Sequence, residues 1–403
     1  MAGSEPELRS RAVAACGSQR VSGYRLNSTP SATRKSWAEC NPESTLISAV
    51  TNTMSSKPKS SSTKSASTSR GFDKELAEIE ALSEALKSGA RPSADQVEYL
   101  RKTLAHHNNF IVSKAARLVA DAEIAALLPR VLAAFDRFFI DAEKTDPQCW
   151  AKNALSKAMV KLEHRSKDEY LRGMRHHQLE PVWGGQSDTA GALRGTCTHA
   201  LVNCPGISDA DLLTALLEPL TDTDKTVRME AARAIAQVGG VSAALLLRLR
   251  ALVGPAIKDE NEPEVLGAVY SALLSVDGTA AIPLVAKALE DGDDTAAEAA
   301  FALADMRNAA ALTALLARLR AGADAWFTSV LLSAIALTRH SEAMDFLLAM
   351  IARDAREAPE AIEAIGRTAP SPELRARVKD TVEKADSIRL RKAFSQYLPE
   401  ISE

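Results

Sequence analysis

Asp224-Lys225-Thr226-Val227-Arg228-Met229-Glu230-Ala231-Ala232-Arg233-Ala234-Ile235-Ala236-Gln237-Val238, followed by Gly239-Gly240, is the stretch on which the reading of the whole chain turns. Val227, Ala231, Ala234, Ile235 and Val238 recur at helical spacing and share one face. Asp224 is a good N-cap, and Gly239 can end the helix in a left-handed turn. Asp224 and Arg228 stand four apart and can pair across the first turn. The apolar face is mostly alanine, so a second backbone can approach closely. A single helix cannot bury such a stripe by itself.

The stripe recurs. Second helices can be aligned on Val112, Trp150, Leu193, Val227, Val265, Ala296, Phe327, Ala358 and Leu390, at intervals of 31 to 43 residues. Four residues beyond most of these stands another apolar residue: Ala116, Ala154, Cys197, Val269, Ala300, Leu331, Ile362 and Phe394. Two helices per interval of this length predict an all-α chain of stacked antiparallel helix pairs, an α-solenoid. About nine such repeats fit into residues 71–403. Ser93 reads as a helix cap ahead of Val97, Leu100 and Leu104. Before it, Leu76, Ile79, Leu82 and Leu86 form a stripe ended by Gly89 and Pro92.

The pattern Asp-x-x-Val-Arg-x-x-Ala-x-x-Ala at 224–234 resembles the second helix of a HEAT repeat. The compact intervals of 31 are similar to the short bacterial HEAT-like repeats also found in phycobilin lyases. The resemblance covers roughly 95–398, in degraded copies: Ala296–Met306 lacks the arginine, and Trp150, Phe327 and Leu390 replace a small residue with a bulky one. HEAT families bind proteins far more often than they catalyse. The resemblance therefore implies a fold and a mode of work, with no catalytic residue and no cofactor.

Composition agrees with a helical protein. Of 403 residues, 46% are hydrophobic and only 4% aromatic, which suits an alanine-rich helix-on-helix core. A net charge of −3 argues against a dedicated nucleic-acid binder. Five cysteines, an odd and low number, fit thiols in a reducing, cytoplasmic setting. No secretory signal or membrane span is expected.

Residues 1–70 stand apart, with ten Lys/Arg against four Glu, a local charge of +6 that leaves −9 for the remainder. Ser55–Arg70 holds eight serines. Such a segment buries too little apolar surface to order itself, so a disordered tail is expected. It is either a basic tether for an acidic surface or a solvated, idle segment. Translation from Met54, which opens the Ser/Lys tract, is an alternative that would remove Cys16 and Cys40.

An irregular insert lies near 163–188. Pro181-Val182-Trp183-Gly184-Gly185 reads as a loop presenting an aromatic, where Trp183 either contacts a partner or plugs a packing defect. His176, His177, Cys197, His199 and Cys204 gather nearby, yet Cys197 and Cys204 fall on an apolar helix face and His199 on another. Neither a zinc spacing nor a Cys–His nucleophile pair results.

With Val227 buried, Met229, Arg233 and Ala236 face away from the core, toward the concave side of such a stack. The matching positions are Lys114 and Leu118, then Lys152, Ser156 and Met159, then Gly195, His199 and Val202. Beyond them come Gly267, Ser271, Glu298, Ala302, Ser329 and Ser333. Lys114, Lys152, His199 and Arg233 would make one end of a groove cationic, unless they merely solvate it. Three functions follow: a non-catalytic scaffold for a protein or peptide, a lyase-like or chaperone-like handler of a tetrapyrrole or modified protein, or a nucleic-acid binder. The first is favoured, with Lys114, Lys152, Met159, Trp183, His199, Met229 and Arg233 as candidate contacts. The sparse aromatics of the groove weaken the third.

Overall fold

The computed structural model describes residues 65–86, 91–254 and 262–399. The packing below lies within residues 67–403, which cluster as one unit. The readings of residues 1–64, of Met54, of Cys16 and Cys40 and of Gly89 lie outside the described residues.

The chain is mostly helical. Helices α1 (Ser65–Leu86), α2 (Ala94–Thr103), α3 (Asn109–Asp121), α4 (Leu128–Arg137), α5 (Trp150–Lys161) and α6 (Lys167–Met174) precede a two-stranded antiparallel hairpin of β1 (Leu179–Val182) and β2 (Gly185–Asp188). After it come α7 (Gly191–Leu201), α8 (Asp209–Leu220), α9 (Lys225–Val238), α10 (Gly240–Val253), α11 (Pro263–Asp277), α12 (Ile282–Lys287) and α13 (Asp294–Asp305). The last are α14 (Ala309–Arg320), α15 (Ala325–Leu337), α16 (Ser341–Ala352), α17 (Ala358–Arg367), α18 (Pro372–Ala385) and α19 (Ile388–Tyr397).

Local chemistry fixes where these helices start. The Ser93 hydroxyl accepts from Gln96 N–H while the Gln96 side chain accepts from Ser93 N–H, a complete capping box. Asn108, Asp224, Asp293, Asn308, Asp324 and Ser371 each accept from a backbone N–H two or three residues on. Gly239, at φ +75°, closes α9, a backbone conformation with little penalty only for glycine.

Helices α3, α5, α7, α9, α11, α13, α15, α17 and α19 pack each on the next along the chain, and each also packs on the helix before it in sequence. The nine positions aligned from the sequence all fall on these helices. Eight are buried, Val227 and Leu193 among them at 0% exposure. Ala231, Ala232 and Ala234 are likewise fully buried, so methyl-sized side chains set the spacing between neighbouring backbones. Glycine brings them closer still: a Cβ on Gly195 would lie 3.4 Å from Glu230 Cγ. One continuous hydrophobic core runs from Ile79 to Leu398.

Several expectations need correction. Helix α1 begins at Ser65, inside the stretch read as tail; once a helix is nucleated, each added residue gains a hydrogen bond cheaply. Arg228, buried, donates to the carbonyls of Asp222 and Thr223 and pairs with Glu262. Meanwhile Asp224 Oδ1 caps Thr226 N–H. By length and composition alone Pro263–Lys287, which holds α11 and α12, could cross a membrane, but 61% of its most apolar window is buried inside the fold, so it is no clear membrane span. Trp150, taken as buried, is 40% exposed.

Trp150 shows why the α5 register was misread. Its buried face is Ala151, Ala154, Leu155 and Ala158, and its exposed residues are Trp150, Lys157, Val160 and Lys161. The alanine, one residue later than the aligned tryptophan, is what allows α3 and α5 to approach. Lys152, Ser156 and Met159, assigned to the open side, are each 0% exposed.

Candidate functional site

The insert is a hairpin clamped at its base and bare at its tip. Gly184, at φ +91°, lets the chain reverse between β1 and β2. Trp183 sits in that turn and is 103% exposed, with Val182 and Leu179 half exposed beside it. The packing-plug reading of Trp183 is therefore overturned, and the segment read as a loop is a paired ribbon.

The clamp grows from Asp146, which is fully buried. Its Oδ1 accepts from Asn109 Nδ2 at 2.9 Å and Ala151 N at 2.8 Å; its Oδ2 accepts from Lys152 N at 3.0 Å and Lys152 Nζ at 2.9 Å. Lys152 Nζ also donates to Phe138 O at 3.2 Å and lies 5.7 Å from the Phe139 ring centre. Lys152 is thus a buried structural cation, because Asp146 can satisfy it where water cannot. Between them the chain takes two consecutive left-handed residues, Gln148 (φ +62°) and Cys149 (φ +53°). Each costs on the order of 1 kcal/mol, and the surroundings must hold it.

Glu180 of β1 supplies that hold. Its carboxylate accepts from Gln148 N at 2.7 Å, Gln148 Nε2 at 3.0 Å, Gln178 Nε2 at 2.6 Å and Thr189 Oγ1 at 2.8 Å. Gln178 Nε2 reaches back to Asp146 O at 2.8 Å. On the far side, Asp188 accepts from Gln178 N and Ala190 N, contacts His177 Nδ1 at 2.9 Å and pairs with Arg194 Nη1 at 2.7 Å. Arg194, 1% exposed, continues to both oxygens of Asp222. Burial pushes the Asp188 carboxyl up, but the Ala190 and Gln178 N–H groups, His177 and Arg194 outweigh it and hold the group at about 2. Every buried acid of the platform has its donors, so the ribbon is held rigidly from both neighbouring pairs.

The other candidates do not form a cationic groove. His199 Nδ1 stands 3.3 Å from Glu230 Oε2, an ion-pair contact, and Arg233 pairs with the other oxygen of the same carboxylate. Burial raises the Glu230 carboxyl, and His199 and Arg233 lower it further than that. Lys114 lies 5.2 Å from the Phe110 ring centre, Met229 is half-buried and Met159 is fully buried. Phe110 also meets Trp150 at 5.3 Å and Phe72 at 6.4 Å between ring centres, an aromatic row that the linear spacing of these residues did not suggest. Further along the same series of positions, Glu298 is half-buried, its carboxyl raised by burial and by Glu264 and Asp294.

Among the described residues, Cys149, Cys197 and Cys204 are buried thiols. Burial pushes Cys149 up to about 12 and Cys204 up to about 11, and Cys197 upward as well. None is poised as a thiolate near pH 7. Among the described residues, no group of three or more His, Cys, Asp or Glu is placed to hold a metal ion. No protein-family model matches the chain, and no curated protein matches it.

Proposed function

We propose that the chain is a non-catalytic scaffold, an α-solenoid of HEAT type in which the hairpin offers Trp183 to a protein partner in the cytoplasm. The observation that carries this reading is a wholly exposed indole on a platform with saturated buried hydrogen bonds. A tryptophan in that position is costly to hydrate and loses little freedom on docking, which are the properties of an interface anchor. The head-to-tail packing of α3 through α19 supports the solenoid, and the buried, raised thiols suit a reducing compartment. Because Arg233 is paired with Glu230 and Lys152 is buried, the hairpin takes precedence over the concave face as the contact. Nucleic acid is a second reading, supported only by the Phe72–Phe110–Trp150 row with Lys114 beside it.

The test compares full-length wild type with Trp183→Ala as bait, with captured proteins identified by mass spectrometry and the fold checked by circular dichroism. A specific partner should be lost from the variant while helical content stays unchanged. Equal capture of the same partner by a folded Trp183→Ala variant refutes the anchor.

A further inference from the structure

The two free edges of the hairpin differ. Val182 and Gly185 close the turn Trp183-Gly184, and the register then pairs Pro181 with Gln186, Glu180 with Ser187 and Leu179 with Asp188. In an antiparallel ladder, pairs that exchange hydrogen bonds alternate with pairs that do not. Thr189 N donates to Gln178 O at 2.9 Å, which places that pair in the bonded set. Two steps up the ribbon, Glu180 with Ser187 is bonded as well, and then Val182 with Gly185. The backbone N–H and C=O groups of Gln186 and Asp188 therefore point away from β1, off the free edge of β2. Those of Leu179 and Pro181 point off the free edge of β1, where proline supplies no N–H.

Pro181 thus blunts the β1 edge, one of the usual guards against unwanted strand pairing. The β2 edge carries no such guard. Gly185, Gln186 and Ser187 are exposed and uncharged, the register has no bulge, and among the described residues no third strand joins the sheet. An unpaired donor and acceptor fixed on a clamped ribbon are complementary to an extended backbone. A helix cannot fill them, because its own backbone groups are already used.

We propose that the β2 edge captures an extended segment of the partner protein, which joins the ribbon as a third strand beside Gln186. This rests on the reading of the hairpin as the contact, and adds the conformation of what it binds. Trp183 precedes Gly185 by two residues, so a segment running along β2 passes the indole. Main-chain bonds align the segment, and the indole anchors it. The segment is free of proline where it pairs, since its own N–H must reach Gln186 C=O.

The probe is a phage-displayed library of random linear peptides of about ten residues, the upper end of natural strand length, selected on the full chain. Enriched peptides, resynthesised, should bind Gln186→Ala as tightly as wild type, because alanine keeps the N–H. They should bind Gln186→Pro at least about 5-fold more weakly, the effect of one lost hydrogen bond. Both variants should keep the wild-type Tm, since Gln186 gives no bond to the ladder. If Gln186→Pro fails to fold, methylating the peptide amides one at a time decides: affinity for wild type should fall at every second residue. Equal binding to folded Gln186→Pro, indifference to methylation, or no enriched peptide overturns the proposal. Self-association of wild type in sedimentation velocity that Gln186→Pro abolishes also overturns it, because a second copy then fills the edge. Trp183→Ala separates the strand from the anchor. Peptides lost by Trp183→Ala but kept by Gln186→Pro refute the strand and leave the indole; the reverse refutes the anchor and leaves the strand.

Discussion

Replacing Lys152 with methionine separates the buried-cation geometry from the open-face assignment made from sequence. Lys152 and Asp146 are each 0% exposed and 2.9 Å apart. Methionine fills much the same volume but leaves the Asp146 carboxylate without its cation, still holding Asn109 Nδ2 and two backbone N–H groups. Removing one partner of a buried pair costs about 3–5 kcal/mol. If residues 67–403 unfold together, an unfolding entropy of about 2.1 cal/mol/K per residue gives a Tm lower by about 4–7 °C. Asp146→Ala should cost at least as much, because it frees the Lys152 ammonium and two helix N–H groups at once. Asp146→Ala combined with Lys152→Met removes both charges, and should recover about 1.5–3 kcal/mol of the summed single losses. Thermal and urea unfolding followed at 222 nm would measure all four proteins. A Lys152→Met protein within about 0.5 kcal/mol of wild type, the usual range for surface changes, refutes the buried pair and restores Lys152 to the open side.

Ala231→Asp should unfold the array or split it at α9, since Ala231 is 0% exposed and an unpaired buried carboxylate costs several kcal/mol; unchanged ellipticity and Tm would contradict this. Asp188 contributes stability that is fully present above its unfolded value of 3.8 and is lost as pH falls toward its folded value of about 2. Wild type should therefore lose more Tm than Asp188→Asn between pH 5 and 2, and parallel acid limbs would refute the linkage.

The sequence made the helical pairs legible because their burial is periodic. Val227, Ala231, Ala234 and Ile235 identify α9 without any tertiary knowledge, and Ser93 and Asp224 cap the helices that their positions suggest. The frame of α5 was lost because Trp150 looks more like a core residue than Ala151 does, yet its ring lies partly exposed against Phe110. The platform was not legible at all. Asp146, Glu180, Asp188 and Arg194 find partners at separations scattered from 2 to 37 residues, and such pairings leave no period in the chain. Burial of Lys152 could have been suspected only from Asp146 six residues earlier. Trp183 stands out in the sequence as an aromatic among Gly and Pro, but its exposure depends on a ribbon whose strands are too short and too polar to announce themselves.

The hairpin divides its residues into two groups with different liberties. Gln178, Glu180, Asp188 and Thr189 at the base make its tethering bonds, whereas Val182, Trp183 and Gly184 at the tip touch little of the frame. Sequence drift at the tip is therefore nearly invisible to folding, while drift at the base is not. A lineage carrying this protein can change the shape and chemistry of the tip one residue at a time and keep the same body. An experimenter can do likewise, grafting a short foreign epitope between Val182 and Gly185 and expecting the host to melt where it did before.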